Sequence, residues 1–167
     1  MSNFRFTEEI IEWNTPLILT YLLWKFTIGY EEASNGVSPV ALFHFLAAAI
    51  LTNDKLSQPI SKRISGIESY VNGFRNRKET DILDRIHDIV LQKRETTFKA
   101  LDIGISAGFI AWDTDNARII PRKFNPRLKE TKLDLYICKR GKAAMILGQW
   151  FAQSDLPTIS TYLGVLF

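Results

Sequence analysis

Few side chains in this sequence carry the chemistry that catalysis needs. Of the two histidines, His44 lies inside an apolar run and reads as a satisfied core residue, while His87 follows Ile86 on a charged helix face and reads as surface. The one cysteine, Cys138, stands between Ile137 and Lys139. Neighbouring cations favour a thiolate, but the setting fits a half-buried structural cysteine. One cysteine without a histidine cluster cannot supply the ligands of a structural zinc site. Asp113 and Asp115 have the D-x-D spacing of a metal-ligand pair, yet they fall in Asp-Thr-Asp-Asn, whose residue types suit a turn. There is no phosphate-cradling G-x-x-x-x-G-K-[ST], and the one G-x-S-x-G, Gly104 to Gly108, closes a helical stretch ahead of a strand instead of turning from a strand into a helix as a nucleophile elbow does. No catalytic residue, metal or cofactor is assigned, and no enzyme activity is expected.

The charge pattern points instead to binding. Residues 118–142 hold nine Lys and Arg against Glu130 and Asp134, whereas residues 1–52 hold five glutamates against Arg5 and Lys25. A basic surplus of that size suits an anionic partner or, equally, a solvated loop. The candidate contacts are Trp112, Arg118, Arg122, Lys123, Phe124, Arg127, Lys129, Lys132, Lys139, Arg140 and Lys142. Trp112 and Phe124 are included because aromatic and arginine side chains anchor interfaces; a plain core role for Trp112 stands beside that reading.

The elements that must position these residues follow from apolar spacing. Leu17 to Tyr30 is apolar almost all round and reads as a buried helix with Pro16 in its first turn. Asn35-Gly36 breaks it, and Ser38-Pro39 opens a second helix to about Thr52. Ile60, Ile64, Ile67, Val71 and Phe74 are spaced 4, 3, 4, 3 and predict one amphipathic helix. Thr80 starts another, with Ile82, Ile86, Ile89 and Val90 inward. Lys93 to Gly108 gives a third, with Phe98, Leu101 and Ile105 inward. The stretch GFIAWDTDNARIIPRK then reads as a β-hairpin turning at Asp113–Asn116. A C-terminal helix begins between Leu133 and Cys138 and turns Ala143, Ala144, Ile146, Leu147, Trp150 and Phe151 inward. A short apolar tail follows Pro157 and packs on the domain or on a partner.

The expected fold class is therefore mainly α (α+β), one domain over residues 1–167. It combines a helical hairpin at about 16–52, a winged-helix-like three-helix unit with a β-hairpin at about 60–123, and a helical part at about 133–167. In a winged helix the third helix and the wing face DNA. Here Lys93, Arg94, Lys99, Arg118, Arg122 and Lys123 would meet phosphates. The acidic tip, Asp113 and Asp115, would be repelled by a polyanion and favours protein docking.

Two motifs carry a resemblance. Trp24, Phe26, Gly29, Tyr30, Ser34, Gly36 and Pro39 in the first helical hairpin, and Leu147, Gly148, Trp150, Thr158, Ile159, Leu163, Gly164 and Val165 at the end, match a known pattern. Together with the central helix and strand pair, the sequence resembles the middle component of bacterial three-component ABC systems over nearly its whole length. Leu166-Phe167 departs from the Arg-Pro that often closes the family's chains. The resemblance implies a Lamassu-type defence system against phage or plasmids. Its partners are an SMC-like ABC ATPase and an effector subunit, a nuclease or similar, with DNA contacted through the complex. The implied role is a non-catalytic adaptor that positions or restrains the effector; a stand-alone winged-helix DNA-binding protein is the alternative.

The totals agree with such a subunit. A chain of 167 residues, 46% hydrophobic and 23% charged, can bury a core without staples. No signal peptide is read at the N-terminus, and the longest apolar runs fall short of the roughly 18–20 residues of a membrane span. With a single cysteine, a cytoplasmic location without membrane attachment is expected.

Overall fold

The computed structural model describes residues 15–122 and 133–167. Two helices form the spine, α1 (Pro16–Ala33) and the C-terminal α7 (Leu135–Phe151). Tyr21 meets Gly141 while Phe26 and Tyr30 meet Gly148, so the two run in the same direction. Their close approach needs glycine on both sides, at Gly29 and Gly148. α1 is buried on nearly every side from Leu19 to Gly29, as expected from its all-round apolar composition. Asn35 and Gly36 both take positive φ just past its end and turn the chain back.

α2 (Leu42–Leu51) is buried from Phe43 onward. It begins three residues later than its sequence predicts. Pro39 and Val40 belong to the hairpin instead: Val40 bridges Arg118, and the Pro39 carbonyl accepts from the Ile119 amide at 3.0 Å. A proline has no amide to donate but can serve a strand edge through its carbonyl.

The single helix expected from Ile60 to Phe74 is shorter. After the one-turn α3 (Asp54–Ser57), the chain passes through turns, and α4 spans only Ile67–Asn76. Pro59, Ser61, Ser65 and Gly66 are turn formers that interrupt the helical backbone, yet Ile60 stays buried and Ile64 packs partly against the core. Conversely, the two helices expected between Thr80 and Gly108 become a short α5 (Thr80–Asp84) and one continuous α6 (Ile86–Ser106). No glycine or proline lies between Ile86 and Ile103 to break it. In α6 Leu101 is buried, but Phe98 and Ile105 are not turned inward as their spacing suggests; both are exposed.

The hairpin is present as expected. β1 (Ile110–Asp113) pairs antiparallel with β2 (Arg118–Pro121), with Trp112 opposite Ile119. α8 (Leu156–Leu163) packs on α4, capped by Asp155, whose side chain accepts from the Thr158 amide at 2.9 Å. The fold is thus mainly α with one two-stranded sheet, and its core lies where α1 meets α7, α6 and α2.

Candidate functional site

The hairpin is tied to α1 and to the segment that leads into α2. Trp24 Nε1 of α1 donates to the Arg122 carbonyl at 2.8 Å, and the Trp24 ring meets Phe109 edge-on at 5.2 Å. Arg118 donates through Nη1 to the Ser38 carbonyl. The Ala41 amide donates to the Ala117 carbonyl at 2.8 Å. At the tip, Asp113 accepts from the amides of Asp115 and Asn116, each at 3.2 Å, and from Asn116 Nδ2 at 2.9 Å. These bonds hold its carboxyl below the usual carboxylate range. Asp113 therefore builds the turn.

The register also places Trp112. Residues directly opposite share a face, so Trp112 lies on the face of buried Ile119 while remaining 37% exposed. Ile120, opposite Ala111 on the outer face, is exposed.

A second surface lies on the far part of the same basic region. A groove of about 670 Å³ runs between α7 and the 57–62 segment. Lys62, Lys139 and Lys142 line it, all exposed, over a floor that includes Ile60, Ala143 and Ile146. Among the described residues its lining contains no carboxylate and no histidine or cysteine. Such a surface attracts an anionic group electrostatically and offers apolar contact once it arrives.

Arg140 has a different part from the one its sequence position suggested. It is only 6% exposed. Its guanidinium donates to Asp54 Oδ1, to Ser57 Oγ and to the Leu51 carbonyl at 3.2 Å, and lies 5.6 Å from the Tyr136 ring centre. The charge is spent joining α7 to the end of α2 and to α3, so Arg140 forms the groove's wall and is not free to meet a partner as an exposed cation.

The candidate contacts are thereby divided. Trp112, Arg118 and Arg122 sit on the hairpin, and Lys139 and Lys142 in the groove. Lys123, Phe124, Arg127, Lys129 and Lys132 lie outside the described residues. Sequence reasoning missed Lys62, whose only signal is the Lys62-Arg63 pair between turn-forming serines.

The core histidine is resolved too. His44 is fully buried, its Nε2 2.8 Å from Thr27 Oγ1. Burial lowers its pKa to about 4 against the smaller opposing effect of the Ala41 and Val40 carbonyls, so the ring is neutral at pH 7. Cys138 is half-buried. Among the described residues no group of three His, Cys, Asp or Glu gathers to hold a metal ion, and no helix is long and apolar enough to cross a membrane.

Residues 4–167 match the model of the ABC-three component (ABC-3C) system Middle Component 3. The chain belongs to that family. No curated protein and no solved structure matches it. Residues of the two motifs that carried the resemblance have physical roles in the fold. In this middle component, Gly29 and Gly148 are the residues that let α1 and α7 touch, and Trp24 is the residue that fastens the hairpin exit to α1.

Proposed function

We propose that the chain is the non-catalytic adaptor of its three-component system, in a Lamassu-type defence against phage or plasmids. It joins an SMC-like ABC ATPase to an effector, a nuclease or similar, and restrains or positions that effector. The observation that carries the reading is the basic groove within a chain that matches a middle component from residue 4 to residue 167. A component defined by its place among others needs docking surfaces, and this groove suits a partner segment that alternates acidic and apolar residues.

The test is co-expression with the ATPase and effector encoded alongside it, followed by size exclusion. Wild-type chain is expected to co-elute with at least one of them at roughly micromolar concentration. Lys62→Glu, Lys139→Glu and Lys142→Glu combined are expected to release it while leaving its melting temperature unchanged. Separate elution of the wild type would overturn the adaptor role.

The competing reading, a stand-alone winged-helix DNA-binding protein, has the exposed Arg122 and the three groove lysines in its favour. It requires the isolated chain to shift duplex DNA with an affinity that falls steeply with salt.

A further inference from the structure

One face of α6 is more apolar than its exposure warrants. Leu91, Phe98 and Ile105 are 57%, 42% and 39% exposed and stand seven residues apart. Seven residues make almost two helical turns, so the three side chains form one row about 21 Å long. The row runs beside the core: Leu101, one turn from Phe98, is fully buried. Phe98 is held in place by an edge contact with Phe45 of α2 at 4.9 Å, and the Arg94 guanidinium lies 5.9 Å from its ring centre. Leu42, one turn before Phe45, adds another exposed apolar side chain on that side.

The residues along this row have a mirror order about Phe98. Leu91 and Ile105 lie seven residues before and after it, and Arg94 and Asp102 four before and after. Laying a second copy of α6 antiparallel across Phe98 sets Leu91 against the second copy's Ile105 and Arg94 against its Asp102. Each of those pairs then occurs twice. Glu95 and Lys99 pair within one copy at 2.9 Å and add no net charge to the rim. A parallel arrangement would set Arg94 against Arg94 and Asp102 against Asp102, and would be repelled.

We infer that the chain self-associates as a twofold antiparallel dimer through this face of α6, with Phe98 at the axis. The interface is isologous, as closed dimers require. One helix face and Leu42 make a small contact, so the dimer is weak, with a Kd in the range of about 1 to 100 μM. The inference stands on this face and does not depend on the groove or on the adaptor reading.

Sedimentation velocity of the full chain over about that concentration range tests it. Wild type is expected to pass from monomer to dimer. Phe98→Glu and Leu91→Lys are each expected to stay monomeric at every concentration, with circular dichroism and melting confirming that they fold. Arg94→Glu and Asp102→Arg are each expected to weaken the dimer about tenfold or more, and the two together to restore it. A wild type that is monomeric throughout, or a dimer indifferent to both apolar substitutions, overturns the proposal. Failure of the double charge exchange to rescue overturns the antiparallel register.

Discussion

Gly29 of α1 and Gly148 of α7 are the two points at which these helices bring their backbones into contact. A Cβ on Gly29 would lie 2.1 Å from the Met145 carbonyl oxygen, and one on Gly148 would lie 2.1 Å from the Phe26 carbonyl oxygen. No side-chain rotation relieves a clash with backbone, so the helices would have to separate. Gly29→Ala and Gly148→Ala are each expected to cost about 3 kcal/mol or more, well beyond alanine's gain in helix propensity of about 1 kcal/mol. Gly73→Ala in α4 is the contrast. Its Cβ would meet only the mobile end of Arg77, at 3.4 Å, so it is expected to stabilise by about 0.5–1 kcal/mol. Urea unfolding midpoints of the three variants decide whether close packing or propensity governs.

Arg140 and Asp54 make an asymmetric pair. Arg140's side chain is 8% exposed and Asp54's 62%. Removing the guanidinium takes the side-chain donor from the buried Leu51 carbonyl and leaves Ser57 Oγ only its bond to the Asp54 carbonyl at 3.3 Å, whereas a lone Asp54 regains water. Arg140→Met is therefore expected to cost about 3 kcal/mol, and Asp54→Asn about 1 kcal/mol or less. Lys139→Met and Lys142→Met, on the exposed side of the same helix, are expected to stay within about 0.5 kcal/mol of wild type. Equal losses from Arg140→Met and Lys139→Met in denaturant melts would mean that Arg140 has no special structural part.

Much of this architecture is legible in the residues, and the gaps have physical causes. Pro16 and Asn35-Gly36 mark the limits of α1 because they act through local backbone geometry. Asp113–Asn116 marks the hairpin for the same reason. The reading of Ile60 to Phe74 as one helix goes wrong because spacing reports which residues are buried, not how the backbone carries them there. Ile60 reaches the core from a turn. Phe98 and Ile105 mislead in the opposite sense: an apolar residue at helical spacing points to some partner, and here the fold leaves both exposed. The groove is half legible. Lys139 and Lys142 belong to an obvious basic segment, but Lys62 joins them only across the fold, and nothing local separates inward Arg140 from outward Lys139.

Ala117 closes the hairpin turn with φ at +51°, a left-handed conformation that costs a residue bearing a Cβ about 1 kcal/mol. The position is kept because its carbonyl accepts from the Ala41 amide, which ties the turn to the start of α2. Ala117→Gly keeps that backbone bond and removes the steric cost, at some entropic cost in the unfolded chain. The net expectation is stabilisation of about 0.5–1 kcal/mol, read as a rise in thermal midpoint of a few degrees. Ala117→Val, which adds a branched side chain where φ is positive, is expected to destabilise by more than that. A fall in midpoint for Ala117→Gly would show that the turn is not strained.

His44 makes stability depend on pH in a stated direction. Its pKa is about 4 in the folded chain and near the ordinary 6.5 once unfolded. Above pH 6.5 both states hold a neutral ring and the residue contributes no pH dependence. Between 6.5 and 4 the unfolded state takes up a proton that the folded state refuses, so stability falls with pH. By linkage the loss reaches about 2 kcal/mol at pH 5 and about 3 kcal/mol below pH 4. Carboxylates also titrate near the lower end, so the measurement is a difference. Urea unfolding of wild type and His44→Met is compared at pH 7.5 and pH 5. The wild type is expected to lose about 2 kcal/mol more than the variant over that interval. Equal losses in the two proteins would show that the buried ring accepts its proton in the folded state as easily as in water.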